Sequence, residues 1–349
     1  MQLLSMQPWP IMPPLFAYFT GYPLHMDKYR RLLIIAIVFS LLVIACNIFM
    51  APSLLPIEVL FDSQHPWRQI LINIRVPRAL GGFCIGALLA ASGVLIQGLF
   101  RNPLAEPGVI GVSSGAALGA ALAIFFQVSI WFLPLAACLG AGGAVLILLW
   151  VGRHLIGQQV SQFILVGVAL NFTATASLGM LTYLSNDQIM RSISFWSLGN
   201  LSAIHFTELV ILMSGVLAIC LIVPRYLSQL NIWLLGEHNA KQLGVNTRRL
   251  NAHLVLMISF MVGLAVAFCG VIGFIGLLVP HAVRYFVGMD NKKVLPLSML
   301  MGGSLLLLAD WLAQTLVAPA QIPLSLILAI AGGPLFIVLL NAVQKRGWA

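Results

Sequence analysis

Arg75-Val-Pro-Arg-Ala-Leu-Gly-Gly82 and Gln97-Gly-Leu-Phe-Arg-Asn-Pro-Leu-Ala-Glu-Pro-Gly-Val-Ile-Gly-Val-Ser-Ser-Gly115 bracket one apolar helix and open a second. Between Arg78 and Arg101 lie 22 residues without a charge, enough for a helix to cross a bilayer. The chain enters that helix through two arginines flanking Val76 and Pro77. It leaves through a tight polar loop carrying Pro103 and Pro107, then starts again on glycines at 111, 115 and 119. Small residues four apart let helix backbones approach closely in lipid.

The same reading extends outward over the chain. Of 349 residues 60% are hydrophobic and 8% charged, with mean hydropathy +1.02. A soluble domain could not solvate that surface, so the fold class is an all-α polytopic membrane protein. About ten windows have the length of a span, roughly 31–50, 78–99, 108–127, 131–151, 161–183, 205–224, 249–270, 272–288, 294–317 and 323–343. The 272–288 window is short, and the piece at 189–201 is too short to cross. Residues 28–349 read as one membrane domain. Residues 1–27, proline-rich and free of charge as far as Leu24, read as a poorly ordered N-terminal extension.

A net charge of +9 fits the positive-inside bias better than nucleic-acid binding. With the N-terminus inside, the inner side holds Lys28, Arg30, Arg31, Arg101, Arg153, Arg225, Lys241, Arg248, Arg249, Arg284, Lys292, Lys293, Lys345 and Arg346. The outer side holds only Arg68, Arg75, Arg78 and Arg191. That asymmetry puts both termini in the cytoplasm.

Chemistry of its own is hard to find in the chain. Five cysteines, each inside an apolar window, lack metal-ligand spacing and read as small buried hydrophobes. No metal, cofactor or catalytic residue is expected. His281 follows Pro280 near the inner end of its span and reads as structural. Asp310, the one acid in the C-terminal spans, reads as a helix-pairing group ahead of an ion-coupling one. No Walker A loop occurs, so any ATP hydrolysis belongs to another polypeptide. The longest inner loop, about 225–249, holds Gly236 and Gly244 around a short helix. There Glu237 and Lys241 are spaced to pair, and Ala240 and Leu243 are expected to share an apolar face.

Taken together, the motifs resemble the iron-siderophore, haem and cobalamin branch of bacterial ATP-binding-cassette importer permeases. Beyond the opening stretch the resemblance rests on Gly167-Val-Ala-Leu-Asn171, Phe195-Trp-Ser-Leu-Gly199, Leu235–Asn246, Gly270–His281 and Leu308-Ala-Asp310. It implies the type II importer permease fold, a homodimer with its pore on the two-fold axis, two ATPase subunits on the cytoplasmic side and one periplasmic substrate-binding protein. It implies docking of that binding protein on Arg75 and Arg78. It implies a cytoplasmic gate at Asn102, Leu104, Val160 and Ser161. It also implies ATPase coupling through Gly236, Glu237, Ala240, Lys241, Leu243 and Gly244. Ser185-Asn186-Asp187 and Gln97-Gly-Leu-Phe-Arg-Asn-Pro-Leu-Ala105 resemble haem permeases more than cobalamin ones, which leans toward haem as cargo, with cobalamin or a ferric siderophore as the alternatives. Two departures stand out: Gln314 where the family commonly has arginine, and Gln321-Ile322-Pro323 where it commonly has Glu-Leu-Pro. The docking platform would then rest on Arg75 and Arg78 alone. A secondary transporter is the rival class. It would want paired ionisable groups near the midplane, and only Asp310 comes close. An intramembrane enzyme would need a metal motif or a nucleophile–base pair, and the spans offer neither.

Overall fold

The computed structural model describes residues 26–51, 53–60, 65–154 and 160–344. The extension at 1–27 therefore lies outside the described residues, apart from the two that begin the first helix. Thirteen helices follow: α1 (Met26–Met50), α2 (Val76–Phe100), α3 (Val112–Phe125), α4 (Leu133–His154), α5 (Val160–Leu184), α6 (Asp187–Ser197), α7 (Phe206–Ile222), α8 (Pro224–Trp233), α9 (Glu237–Gln242), α10 (Thr247–Cys269), α11 (Ile275–Val287), α12 (Asn291–Thr315) and α13 (Leu324–Gln344). A turn of α-helix at Arg68–Ile70 and one of π-helix at Leu71–Arg75 lead straight into α2.

Each of the ten apolar windows is a helix. Six are long and apolar enough to cross a membrane alone: α1, α2 with its lead-in, α4, α5, α10 and α12. α7 and α8 meet at a 54° bend and make a seventh span if taken together. α3, α11 and α13 are shorter. Two of these begin at irregular backbone. α3 follows a 3-10 turn, Pro107–Ile110, and α11 follows Phe274, a non-glycine residue at φ +70°. The two entrances face one another. Glu106 Oε1 accepts the Phe274 N–H at 3.1 Å, and Asn171 Nδ2 on α5 donates to the Gly108 carbonyl at 3.0 Å. Broken backbone among apolar spans survives only where protein satisfies it, and here protein does.

α2 is the centre of the bundle, buried along nearly its whole length. It packs on α1, α7, α8, α10, α11 and α12. Small residues set the distances. A Cβ on Gly86 would strike the backbone of Gly302 on α12, and one on Gly93 would strike the carbonyl of Gly276 on α11. Gly115 and Gly119 of α3 meet Gly140 and Ala136 of α4 in the same manner. The four-residue glycine spacing is thus used for helix packing. Polar side chains add register: Ser40 on α1 bonds Ser304 on α12 at 2.9 Å, and Asn47 donates to the Leu307 carbonyl at 3.0 Å. Cysteine burial differs from expectation. Cys84 and Cys269 are buried, but Cys46, Cys138 and Cys220 are exposed on the surface of the chain.

Candidate functional site

Two ends of the bundle carry the residues singled out by the sequence. At the end where α2 begins, Arg75 and Arg78 do not form an exposed platform. Each is 8% exposed. Arg75 sits in the π-helical turn and points at the end of α1, where its guanidinium donates to the carbonyls of Ile48 at 3.1 Å and Phe49 at 3.4 Å and to Ser53 Oγ at 3.3 Å. It caps carbonyls that α1 leaves unsatisfied. Arg78, a turn further on, makes a two-pronged pair with Asp310: Nε to Oδ2 at 3.0 Å and Nη2 to Oδ1 at 2.7 Å. The expectation of outward presentation fails because partners inside the bundle, the end of α1 for Arg75 and Asp310 for Arg78, take up both guanidinium groups.

Asp310 is fully buried and pairs helices, as its isolation among apolar residues suggested. Its other donor was not foreseen. Gln314 Nε2, one turn along α12, gives Oδ2 a bond of 2.7 Å. Gln321 Oε1 accepts from Arg78 at 3.4 Å and from Ser202 Oγ at 3.1 Å. The two glutamines marked in the sequence as departures from the resembled pattern thus belong to one network joining α2, α12, the α12–α13 loop and the α6–α7 loop. Their paired departure was the available signal in the sequence.

At the other end, α8 and α9 form a hinged pair. Gly236 joins them at φ +106° and Gly244 ends α9 at φ +81°, both disfavoured for any residue with a Cβ. The close of α9 is a Schellman motif, with Gly244 N–H bonded to the Lys241 carbonyl and Val245 N–H to the Ala240 carbonyl, each at 3.0 Å. Glu237 and Lys241 pair at 2.8 Å on its exposed side. The expected shared face of Ala240 and Leu243 is not found. Ala240 is fully buried against the bundle and Leu243 is 60% exposed. Residue 243 is the helix cap, where the chain has already turned outward.

The turn after α2 lies close by. Asn102 N–H returns to the Gln97 carbonyl at 3.1 Å, and Asn102 Oδ1 accepts from Leu104 N at 2.9 Å, leaving the Leu104 side chain 44% exposed. Val160 and Ser161 begin α5, and their side chains lie outside the described residues. Beside this turn Arg284 is buried. It bonds Gln97 Oε1 at 3.2 Å, the Val94 carbonyl at 3.2 Å and Asn291 Oδ1 at 2.9 Å. Asn231 of α8 then holds Asn291 and Asp290, each at 2.8 Å. His281 is 5% exposed and has no hydrogen-bond partner among the described residues. Its ring lies 6.4 Å from that of Phe336 on α13. Among the described residues no three His, Cys, Asp or Glu side chains gather as a metal would require.

Comparison with known proteins fits this arrangement. Residues 32–342 match the FecCD transport family. The chain is 42% identical over 287 residues to a hemin transport system permease protein of Yersinia pestis, covering 80% of this chain and 86% of that one. It is 36% identical over 330 residues to a vitamin B12 import system permease protein of Yersinia enterocolitica, covering 91% and 94%. Among solved structures it is similar to a metal-chelate type ABC transporter in an inward-facing conformation. There the TM-score is 0.82 at 32% identity, covering 90% of this chain and 99% of that one.

Proposed function

Because this chain belongs to the FecCD transport family, we propose that it is the permease subunit of an ATP-binding-cassette importer in a bacterial inner membrane, with haem or a related iron chelate as cargo. What supports the cargo is the 42% identity to a hemin permease, against 36% to a vitamin B12 permease. What supports the division of labour is the absence of a Walker A loop together with the α8–α9 pair, which offers a compact polar and apolar surface at one end of the bundle. On this reading that end is cytoplasmic and both termini lie there. Two copies enclose the pore, and two ATPase subunits seat on α9 through Leu243 and the Glu237–Lys241 edge. The Asn102–Leu104 turn and the start of α5 narrow the cytoplasmic mouth. A binding protein delivers cargo at the opposite end. With Arg75 and Arg78 held inside, its docking on these two arginines would require them to leave their present partners.

The test is reconstitution of the chain with its partner ATPase and binding protein in liposomes. ATP-dependent haem accumulation is the expected result, and uptake of cobalamin in its place would move the reading to the alternative cargo. ATP hydrolysis by the isolated chain, or uptake driven by an ion gradient alone, would overturn it. Leu243→Asp should weaken ATPase association roughly tenfold, as loss of a central apolar anchor does. A binding titration that shows no change would place the ATPase contact elsewhere.

A further inference from the structure

The turn at the end of α2 and the α8–α9 pair are not independent parts. α2 closes on Arg101, whose backbone is left-handed at φ +50°. Glycine or asparagine is the usual residue at such a helix end, since a Cβ is strained there. Arg101 holds the position and sets its guanidinium carbon 4.2 Å from the centroid of the Trp233 ring. Trp233 is the last residue of α8 and is 1% exposed. Its Nε1–H donates to the Leu99 carbonyl at 2.9 Å. One turn earlier Leu230 presses on Gly98, where an added Cβ would come within 2.9 Å of its methyl groups. So α8 grips the last turn of α2 through a buried indole, and Arg101 covers that indole. The same guanidinium lies near Gly236, the glycine that leads into α9: a Cβ added there would be 4.0 Å from Arg101 Nη1. Partial burial lowers its pKa from the usual range, and the Glu237 carboxylate raises it. Asn102–Leu104 follow directly.

We propose that Arg101 is a positioning residue that makes the Asn102–Leu104 turn move with α8 and α9, so that displacement of α9 by the ATPase reaches the cytoplasmic mouth of the pore. A local rule is broken at Arg101, and the stack on Trp233 is the compensation. The planar guanidinium keeps its attraction as the ring tilts beneath it, which a lysine ammonium does less well. The transport half of this proposal rests on the importer reading above, and the mechanical half rests on the contacts alone.

The decisive variant is Arg101→Gly. It suits the left-handed backbone, so the fold is kept while the stack is removed. Hydrogen exchange on the full chain in lipid nanodiscs, with no partner added, should rise across residues 236–244 by roughly two- to fivefold, the factor carried by one partly exposed cation–π contact. In the assembled complex the cargo imported per ATP hydrolysed should fall roughly fivefold, with Arg101→Lys between the two. Unchanged exchange over residues 236–244 would overturn the mechanical link. Raised exchange with an unchanged ratio of cargo to ATP would make the contact structural and overturn its role in coupling. A wild-type complex that imports nothing with ATP would instead sink the importer reading, and the exchange measurement would still decide whether Arg101 holds α9.

Discussion

α2 and α5 are nearly equal in apolarity, with mean hydropathies of 2.1 and 1.8 over their best windows, and opposite in surroundings. Of those windows 89% is buried for α2 and 17% for α5. Hydropathy measures compatibility with lipid and cannot separate a helix wrapped by other helices from one with a free side. Residue size separates them. α2 carries Gly82, Gly86 and Gly93 where neighbouring helices cross, and α5 projects Phe172 at 74% and Tyr183 at 85% exposure. The hydroxyls of α5 bond within the helix: Thr173 Oγ1 donates to the Ala169 carbonyl and Ser177 Oγ to the Thr173 carbonyl. These hydroxyls need no outside partner, and the rest of the exposed side of α5 is largely apolar, with Leu165, Val168, Phe172, Met180 and Leu184 exposed.

The sharpest way to break this comparison is Gly93→Ala. The new methyl group would fall on the Gly276 carbonyl, a backbone atom that cannot rotate away. α2 and α11 would have to separate, opening contacts along both. The expected loss exceeds about 4 kcal/mol, in the class reserved for disrupted cores. Thermal unfolding in detergent should show no native transition, or one lowered by many degrees. A melting temperature near that of wild type would mean that the crossing is looser than described.

Arg78→Met is the second test, directed at the polar clasp that fixes α2 against α12. Removing one partner of a buried ion pair costs about 3–5 kcal/mol. The lower end is expected here, because Gln314 still donates to Asp310. Arg78→Met combined with Asp310→Leu should recover most of the stability, since no unpaired charge remains. Equal damage from the single and double variants would show that shape, and not charge pairing, holds this end together.

Reading the chain without its structure recovered these helices for a physical reason. Lipid demands about 20 apolar residues in a row, and that demand is written linearly. The ten windows, the short α11, the Glu237–Lys241 pair and the glycine-bounded α9 were all legible in this way. Side-chain direction was not. The charge count and the family resemblance both point Arg75 and Arg78 outward, toward a docking partner. What turns them inward are carbonyls at the end of α1 and the carboxylate of Asp310, 232 residues away from Arg78. Ala240 and Leu243 were assigned to one face by helical spacing, but α9 ends between them. Gln314 and Gln321 looked like lost charges, and only their meeting around Arg78 and Asp310 gives them a role.

The gentlest test makes the Gly93 substitution on the other helix. Gly179 lies inside α5, and an added Cβ there meets nothing within 4 Å. Glycine in a helix interior is less favourable than alanine by about 0.8–1 kcal/mol, because it has more backbone freedom to lose. Gly179→Ala should therefore leave the melting temperature unchanged or raise it by about 2–4 °C. In the assembled importer proposed above it should also leave the two copies associated if the exposed side of α5 borders the pore, where a methyl group has room. The same change on α2 is expected to abolish or strongly lower the native transition, so the pair of variants contrasts a buried with an exposed site for the same chemical change. If Gly179→Ala left the separated chain as stable as wild type but split the pair of copies, then α5 would be packed tightly against the second copy. Its free side would be a helix contact and not the edge of a path.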